Sequence, residues 1–371
     1  ILPPMIFIEA RDEWIYRGLI ILVAACPCGL MVSIPMAFLG GIGSAAKQGV
    51  LIKSGAFIEE LIEADTFVFD KTGTLTEGMF HVRDIVPYKM EKEQLLEIAA
   101  LAESYSTHPV ALSIQEACAG ELDKNRVSDI KEQPGFGVQA KVDGRIVSVG
   151  NTRLMNKEGI FYHPADETGT AVYVAVDGKY AGYILIADVI RKDAARLIKW
   201  LHKQELSTVM LTGDNEDVAE DVAAKLGIKS VYAELMPEDK VALLEEFREN
   251  QMEGEKLVFV GDGINDAPVL ALADIGIAMG GLGADAALEA ADVILVDDEP
   301  SRIINAVRIS RATLSSVRQN MGFAIGMKVL LIVMAFFGFV TMQNAIIADM
   351  GVMLINILNS FWMMQYPERG V

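Results

Sequence analysis

Cysteine and basic residues are both scarce in this sequence. It holds three cysteines among 371 residues, and two of them, Cys26 and Cys28, share one apolar run. No disulfide framework is therefore implied, and a reducing cytoplasm suits the polar part of the chain. Lys and Arg number 32 against 51 Asp and Glu, which gives a net charge of −19. A chain this acidic argues against nucleic-acid binding.

The sequence also lacks the features of a secretory signal peptide. Its first residues show no basic start and no small-residue cleavage site. It does not begin with Met, and we expect it to be part of a longer chain. A mean hydropathy of +0.32 alongside 22% charged residues indicates that apolar residues are concentrated, here at the two ends. The length suits two or three domains.

Three short apolar segments each run directly into acidic or hydroxyl residues. These are residues 66–69, 209–211 and 257–260. The first reads as a buried strand ending in a tight loop, and the other two read as strands that end in a polar turn before a helix-like pattern. Repeated strand, turn and helix predict an α/β fold with a parallel, doubly wound sheet. Ligands of such sheets bind beyond the carboxyl ends of the strands. The side chains expected at that edge are Asp70, Thr212, Asp214, Asp262 and Asp266.

This many carboxylates in one crevice predict a cation between them. Like charges repel unless a cation holds them, and oxygen ligands alone favour Mg²⁺. Asp70 could then attack a phosphoryl group whose charge is offset by Mg²⁺, Lys71 and Lys240. The alternative for any single acid is an ordinary turn or helix cap.

The three turns resemble the phosphorylation-domain signatures of P-type ATPases. The matching stretches are DKTGTLT at 70–76, TGDN at 212–215 and GDGINDAP at 261–268. The resemblance implies a haloacid-dehalogenase-like domain, ATP as phosphoryl donor, an aspartyl phosphate at Asp70, and Mg²⁺ held by Asp70, Asp262 and the Thr72 carbonyl. The catalytic set implied is Asp70, Lys71, Thr72, Thr212, Gly213, Asp214, Lys240, Asp262, Asn265 and Asp266.

The doubly wound pattern is interrupted after Gly78 and resumes near Ala187. Helices are expected at 92–105 and 110–120, and strands at 138–142, 145–149, 171–176 and 180–186, separated by Asp-Gly turns. This is an inserted α+β domain, where P-type ATPases carry their nucleotide-binding domain. We therefore predict a membrane helix with connector at 1–62, phosphorylation domain at 63–82 and 187–305, nucleotide-binding domain at 83–186, and a transmembrane helix pair at 306–371.

Several residues of the insertion resemble the adenine-binding elements of the heavy-metal subgroup. His108 can stack on or hydrogen-bond a purine, Glu103 can accept from an amine, and paired glycines let backbone come close; ordinary loops are the alternative. Arg191 lies in a segment that resembles the family's hinge, near the nucleotide, although Lys192 stands where Pro is common. The nucleotide residues implied are Glu103, His108, Gly135, Gly137, Gly150, Asn151 and Arg191.

The first apolar region predicts a broken membrane helix. Residues 18–46 contain no charged side chain, and at about 1.5 Å per residue they exceed a ~30 Å hydrocarbon core. Breaks are expected at Pro27 and Pro35. Unwinding at Pro27 would let Cys26 and Cys28 turn towards one ion, although two small packing residues are the alternative. The Cys-Pro-Cys element resembles that of heavy-metal P-type ATPases, with Gly29 where Ala is usual.

The second apolar region contains two ionisable residues, Lys328 and Asp349, with Gly338 midway. If the chain turns at Gly338, the two residues face each other near the bilayer midplane, where buried charges are usually functional. They resemble signatures of the Zn²⁺/Cd²⁺/Pb²⁺ branch.

Four arginines precede this apolar region: Arg302, Arg308, Arg311 and Arg318. By the positive-inside rule, they predict that the catalytic domains lie in the cytoplasm.

These observations predict an ATP-driven exporter of a divalent metal ion such as Zn²⁺ in a bacterial plasma membrane. Cys26, Cys28 and Asp349 would bind the ion, with Lys328 as counter-ion, because two thiolates and a carboxylate suit a borderline divalent ion better than Cu⁺. We expect a monomer that contacts membrane lipid and requires the actuator domain of the longer chain.

Three alternatives remain open. One is a Cu⁺-transporting P-type ATPase, and another is a non-catalytic metal-binding membrane module. The third is a soluble haloacid-dehalogenase phosphatase, which would use an acid where Thr72 stands. The actuator's Thr-Gly-Glu is absent, and residues 168–170 lie in the wrong domain, so this chain alone is not expected to complete turnover.

Overall fold

The computed structural model describes residues 11–118, 120, 122–165, 169–262, 266–280 and 289–363. The chain forms two compact units. The first comprises Ile1–Val68, Trp200–Ser207 and Val241–Val371, and the second comprises Phe69–Lys199 and Thr208–Lys240.

The helices and strands are numbered in chain order. The helices are α1 (Arg11–Ala24), α2 (Cys28–Lys47), α3 (Gly55–Glu63), α4 (Lys92–Ala102), α5 (Pro109–Ala117), α6 (Thr152–Lys157), α7 (Ala194–Lys203), α8 (Glu216–Leu226), α9 (Pro237–Glu249), α10 (Ala267–Leu272), α11 (Arg302–Phe336) and α12 (Met342–Met363). The strands are β1 (Val50–Ile52), β2 (Ala64–Asp70), β3 (Thr76–Pro87), β4 (Val127–Gln133), β5 (Gly137–Val142), β6 (Arg145–Gly150), β7 (Thr170–Val176), β8 (Lys179–Ile190), β9 (Ser207–Leu211), β10 (Ser230–Tyr232), β11 (Lys256–Gly261), β12 (Ile275–Met279) and β13 (Val293–Leu295).

The first unit contains a mixed sheet in the order β1-β13-β12-β11-β2. Strands β11, β12 and β13 pair in parallel, while β1 is antiparallel to β13. Residues 257–260 of β11 are all buried, as expected for a parallel strand covered on both faces. Strands β12 and β13 extend the sheet beyond β11. Strand β1 has no counterpart among the predicted strands.

Long apolar helices occupy both ends of the chain. Three candidate spans are long and apolar enough to cross a membrane among the described residues, namely Asp12–Lys47, Arg302–Phe336 and Met342–Trp362. Helix α2 packs against both α11 and α12. The helix breaks between α1 and α2 at the predicted Pro27, but Pro35 lies inside continuous α2, so the expected second break is wrong. Because α11 and α12 join through Gly338, with a φ of 78°, the predicted turn is present.

The second unit is built on an antiparallel sheet of the order β3-β8-β7-β6-β5-β4. Alternate residues of β7 face two cores, with Val172 and Val174 packing in one together with residues of α4 and α5. Tyr173 and Ala175 pack in the other, together with α6. This is the predicted α+β arrangement. Parallel strands β9 and β10 also belong to this unit.

The chain after Asp70 forms a tight, irregular turn. This turn covers Lys71–Leu75 and leads into the long strand β3. Gly73 and Gly78 have φ values of 76° and 67°, which glycine adopts without the steric cost of a side chain. Strand β3 pairs with β8 across the predicted domain boundaries, with Val82 opposite Ile186. A two-stranded ribbon therefore carries the chain into and out of the inserted domain.

Candidate active site and ion site

Asp70 is buried at the carboxyl end of β2, in the second unit. Only 6% of the residue is exposed, and Nζ of Lys240 lies 2.6 Å from its Oδ1. Lys240 comes from the first turns of α9 and is itself buried. The predicted nucleophile is thus paired with a predicted cation, which places positive charge where a transferred phosphoryl group would add negative charge.

Lys71 is also buried and forms ion pairs with two acids. Its Nζ contacts the carboxylate of Asp214 and lies 3.5 Å from that of Asp188. Burial raises the pKa of Asp188 above its ordinary value, while the Thr76 hydroxyl and Lys71 act to lower it. Asp188 was not among the predicted catalytic residues. Its position at the end of an apolar strand is the signal that could have identified it.

Residues at the end of β8 and directly after it hold the turn after Asp70 in place. Thr76 Oγ1 lies 2.5 Å from Asp188 Oδ2, and Arg191 donates from Nη2 to the Gly73 carbonyl at 3.0 Å. Arg191 also donates from Nε to the Thr76 carbonyl at 3.1 Å. The guanidinium therefore fixes the shape of the loop that presents Asp70 and Lys71. Its predicted contact with nucleotide stays a prediction.

The TGDN turn is rigid by its own hydrogen bonds. Thr212 is 1% exposed, and its Oγ1 accepts from the Asp214 N–H at 3.1 Å. Asn215 caps α8 by accepting from Val218 N–H at 2.9 Å. Gly213 lies between them, and the Asp214 carboxylate is left directed at Lys71.

The remaining predicted catalytic residues lie in the first unit. Asp262 follows β11 directly, and Asp266 is 2% exposed at the residue before α10. Asn265 lies outside the described residues. The roles of these three residues, and the Mg²⁺ site that includes Asp262, stay predictions.

A cavity of about 450 Å³ opens at one end of the antiparallel sheet. Six of the seven predicted nucleotide residues line it: Glu103, His108, Gly135, Gly137, Gly150 and Asn151. Arg191 does not. The structure therefore gathers residues from four separate segments of the insertion into one place, with Phe136 and Val138 adding apolar wall. A concave site with apolar walls and a few polar groups is typical of small-molecule binding.

The glycines of this cavity serve two purposes. A Cβ on Gly137 would lie 2.2 Å from the Val149 carbonyl oxygen, and one on Gly150 would lie 2.2 Å from that of Phe136. These two glycines are required by the close approach of β5 and β6. Gly135 has a φ of 78° and open space around its Cβ position, so it is the one that leaves room for a ligand.

Polar side chains hold the cavity wall in shape. His108 Nδ1 accepts from Val110 N–H at 3.3 Å, which leaves Nε2 as the ring nitrogen available to a ligand. Asn151 donates to the Gly135 carbonyl at 2.9 Å. Gln115 donates to the carbonyls of Glu103 at 2.7 Å and Ser106 at 3.3 Å. Gln115 was not predicted, because an amide on an amphipathic helix gives no sequence signal.

Glu103 is buried at the edge of the cavity. Burial raises its pKa to about 7, and the charge of Glu132 acts in the same direction. Its Oε2 has no hydrogen-bond partner among the residues that the structure describes. The carboxyl group therefore changes protonation near neutral pH.

We predict that Glu103→Gln removes a pH dependence of stability. The folded pKa of about 7 lies above the ordinary 4.5, so the folded state binds this proton more tightly than the unfolded state. The contribution of protonated Glu103 to the free energy of unfolding is fully present below pH 4.5 and is lost as the pH rises through 7. Between pH 5 and 8 the free energy of unfolding of the parent should fall relative to Glu103→Gln by up to about 3 kcal/mol. Thermal unfolding midpoints of both proteins across that range measure this.

Glu132→Gln is the matched control for this measurement. Glu132→Gln removes the smaller of the two causes that raise the pKa of Glu103. The free energy of unfolding should therefore still fall with rising pH, but at a slightly lower pH. Equal pH profiles for the parent and Glu103→Gln would contradict the prediction.

The break between α1 and α2 lies beside the two ionisable residues of the apolar helices. Lys328 Nζ donates to Asp349 Oδ1 at 2.8 Å, and the two side chains are 13% and 22% exposed. The same amine donates to the Ala24 carbonyl at 3.3 Å and to the Cys26 carbonyl. The prediction that Lys328 and Asp349 face each other is confirmed. One ammonium group thus joins α11, α12 and the Pro27 break.

The predicted ligand set is described only in part. The side chain of Cys28 lies outside the described residues. Among the side chains that the structure does describe, no group of three or more His, Cys, Asp or Glu could hold a metal ion. Coordination by Cys26, Cys28 and Asp349 therefore stays a prediction.

Comparisons with known proteins agree on one family. A family profile for haloacid dehalogenase-like hydrolases matches residues 64–274. The "Zinc-transporting ATPase" of Synechocystis sp. is 49% identical over 364 residues, which cover 97% of this chain and 50% of that protein. The "Cadmium, zinc and cobalt-transporting ATPase" of Bacillus subtilis is 48% identical, over 99% of this chain and 53% of that protein.

A solved structure matches nearly the whole chain. The crystal structure of a zinc-transporting PIB-type ATPase in its E2·Pi state superposes with a TM-score of 0.87 at 36% identity, over 98% of this chain and 60% of that one. This chain therefore spans about half the length of the curated relatives it matches.

Proposed function

This chain belongs to the zinc-, cadmium- and cobalt-transporting P-type ATPases, and we propose that the full-length protein exports a divalent ion of this group at the cost of ATP. The ion crosses between the apolar helices, and the phosphorylated residue is Asp70. One observation carries the proposal: Lys328 and Asp349 pair at 2.8 Å beside the helix break that contains Cys26.

The chemical step uses Asp70 as nucleophile. A carboxylate oxygen attacks the γ-phosphorus of ATP, the bond from that phosphorus to the β,γ-bridging oxygen breaks, and ADP leaves with the electron pair. Lys240 lies close enough to Asp70 to offset charge on the transferred group. Lys71 is held by Asp214 and Asp188, so its position is fixed before the reaction. Water later attacks the phosphorus, which releases phosphate and restores the carboxylate.

The donors proposed for Mg²⁺ are all oxygen atoms, which suit this ion. The buried Asp70 carboxylate, the Thr72 carbonyl and Asp262 would hold it, since hard oxygen ligands suit this ion. When bound, Mg²⁺ neutralises negative charge on the phosphates. ATP itself would occupy the cavity lined by Glu103, His108 and Gly135.

The transported ion would replace Lys328 as the partner of Asp349. Two thiolates and one carboxylate around a 2+ ion leave one negative charge, which the Lys328 ammonium offsets. After the ion departs, Lys328 can pair with Asp349, whose Oδ1 lies 2.8 Å from its Nζ. The Lys328–Asp349 pair therefore keeps the charge of the site balanced both with and without the transported ion.

The proposed pump lies in a membrane. The candidate spans lie at both ends of the chain. Basic residues at the start of α11 favour catalytic domains on the cytoplasmic side of a bacterial plasma membrane. We further propose a monomer surrounded by lipid. A soluble phosphatase of this fold would have no need of Lys328 and Asp349 in apolar helices.

Metal-stimulated ATP hydrolysis by the full-length protein tests this function. Zn²⁺, Cd²⁺ and Co²⁺ should stimulate, and Cys26→Ala should reduce the stimulation by about 100-fold or more, because a metal ligand is lost. Cys118→Ala removes the thiol in the nucleotide-binding domain and is the matched control that should stay active. Stimulation by Cu⁺ alone would favour the copper-transporting alternative. Unchanged stimulation in Cys26→Ala would contradict the proposal.

A further inference from the structure

A second polar cluster lies inside the apolar helices, away from the ion site. It consists of Asn320 on α11 and Asn356, Asn359 and Ser360 on α12, and we call these four residues the amide clamp. Asn320, Asn356 and Ser360 are at most 2% exposed. Polar side chains this deep among apolar helices are costly unless they are paired.

The amide clamp is reciprocal. Asn320 Nδ2 donates to the Asn356 backbone carbonyl at 3.3 Å, and Asn356 Nδ2 donates back to the Asn320 carbonyl at 3.1 Å. Asn359 donates to Asn320 Oδ1 at 2.8 Å. Ser360 Oγ lies 3.3 Å from the carbonyl of Ser33 on α2. One cluster therefore ties together α2, α11 and α12.

Helices α11 and α12 each carry a residue of the proposed ion site about two turns away, and α2 begins directly after the break that contains Cys26. Asn320 precedes Lys328 by eight residues, Asn356 follows Asp349 by seven, and Ser33 follows Cys26 by seven. At about 1.5 Å per residue the two layers are separated by about 12 Å along the helices. A shift or rotation of any one helix at the clamp would thus move its ion-site residue.

The side-chain amide of Asn320 already forms hydrogen bonds between the helices. Asn320 Nδ2 contacts both the Asn356 carbonyl and Ser360 Oγ, and Asn320 Oδ1 accepts from Asn359. This leaves little capacity for a metal ion at Asn320. In lipid, apolar surfaces give no hydrophobic preference for one register, whereas interhelical hydrogen bonds do.

We propose that the amide clamp sets the register of α2, α11 and α12, and so positions Lys328, Asp349 and the Cys26 segment around the transported ion. The clamp residues are positioning residues, not ligands. This inference rests on the ion site of the proposed function. It adds that ion affinity is determined two turns from the ion.

The test uses the full-length protein with Asn320→Leu and, separately, Asn356→Leu. Leucine has the same number and branching of side-chain heavy atoms as asparagine, and it removes the interhelical donors in surroundings that tolerate apolar groups. Each variant should bind Zn²⁺ about 10–100-fold more weakly, as when outer-shell partners of metal ligands are changed. With Co²⁺ as probe, the absorption bands should also shift, because the ligand geometry changes. A loss of stability alone would leave the spectrum of the folded fraction unchanged.

Gln319→Leu is the matched control, since this amide is exposed on α11 next to the clamp. It should retain the parent's Zn²⁺ affinity and Co²⁺ spectrum. Ser360→Ala is a milder variant for the case in which the leucine variants do not fold. It removes only the hydroxyl that reaches α2, and Zn²⁺ binding should weaken several-fold with a shifted Co²⁺ spectrum.

Asp349→Ala separates this inference from the function on which it rests. If Asp349→Ala binds Zn²⁺ like the parent, the proposed ion site is wrong. If Asp349→Ala loses Zn²⁺ while the folded clamp variants keep the parent's affinity and Co²⁺ spectrum, the clamp inference alone is overturned.

Discussion

Asp70→Asn in the full-length protein should abolish the acid-stable phosphoenzyme formed from ³²P-labelled ATP and lower ATP turnover by about 10³-fold or more. The amide is isosteric but is not a nucleophile. The substitution also removes the carboxylate charge that lies 2.6 Å from Lys240 Nζ. Labelling in acid gels and steady-state hydrolysis measure the two effects.

Asp217→Asn is the matched control for the loss of the acid. Asp217 is exposed in the first turn of α8, and replacing it should change labelling and turnover little. A phosphoenzyme of normal yield in Asp70→Asn would refute both the nucleophile and the P-type mechanism for this chain.

Asp349→Ala should abolish Zn²⁺ binding and also destabilise the membrane helices. It leaves the Lys328 ammonium without its carboxylate in an apolar setting. Breaking a buried ion pair from one side costs about 3–5 kcal/mol, because the remaining charge is uncompensated. Equilibrium Zn²⁺ binding and the thermal midpoint of the purified protein measure the two losses.

The double variant Asp349→Ala with Lys328→Met distinguishes charge balance from metal ligation. Replacing both partners by apolar groups removes the orphaned charge, so the thermal midpoint should return towards the parent's. Zn²⁺ binding should stay lost, because the carboxylate ligand is still absent. Gln343→Ala, an exposed change at the start of α12, should affect neither measurement. Recovery of Zn²⁺ binding in the double variant would show that Asp349 is only a counter-ion.

The sequence predicts the buried strands well, because their residue types match their positions in the sheet. Apolar segments that end in acids gave β2, β9 and β11, since buried parallel strands are almost continuously apolar. Strand β4 was not predicted, because it is largely exposed and carries alternating polar residues without an apolar face. The tight loop after Asp70 was predicted, but its path was not. The positive φ of Gly73, which redirects the chain into β3, cannot be inferred from residue type alone.

The candidate sites show the same division. Lys328 and Asp349 were predictable because charges in apolar segments are rare and one central glycine implied a hairpin. The amide clamp was not, because Asn320 on its own looks like an ordinary polar residue. Its partners lie 36 to 40 positions later, and only packing of α11 on α12 brings them together. Likewise, the contact of Arg191 with Gly73 depends on the pairing of β3 with β8.

The ribbon formed by β3 and β8 has a mechanical consequence. This ribbon has irregular pairing between Val82 and Asp84, and at such a bulge the strand bends and the local twist increases. At its base, Asp188 and Arg191 contact Lys71 and the Gly73 carbonyl. A tilt of the antiparallel sheet would therefore be transmitted along the ribbon to Lys71, which follows the proposed nucleophile Asp70.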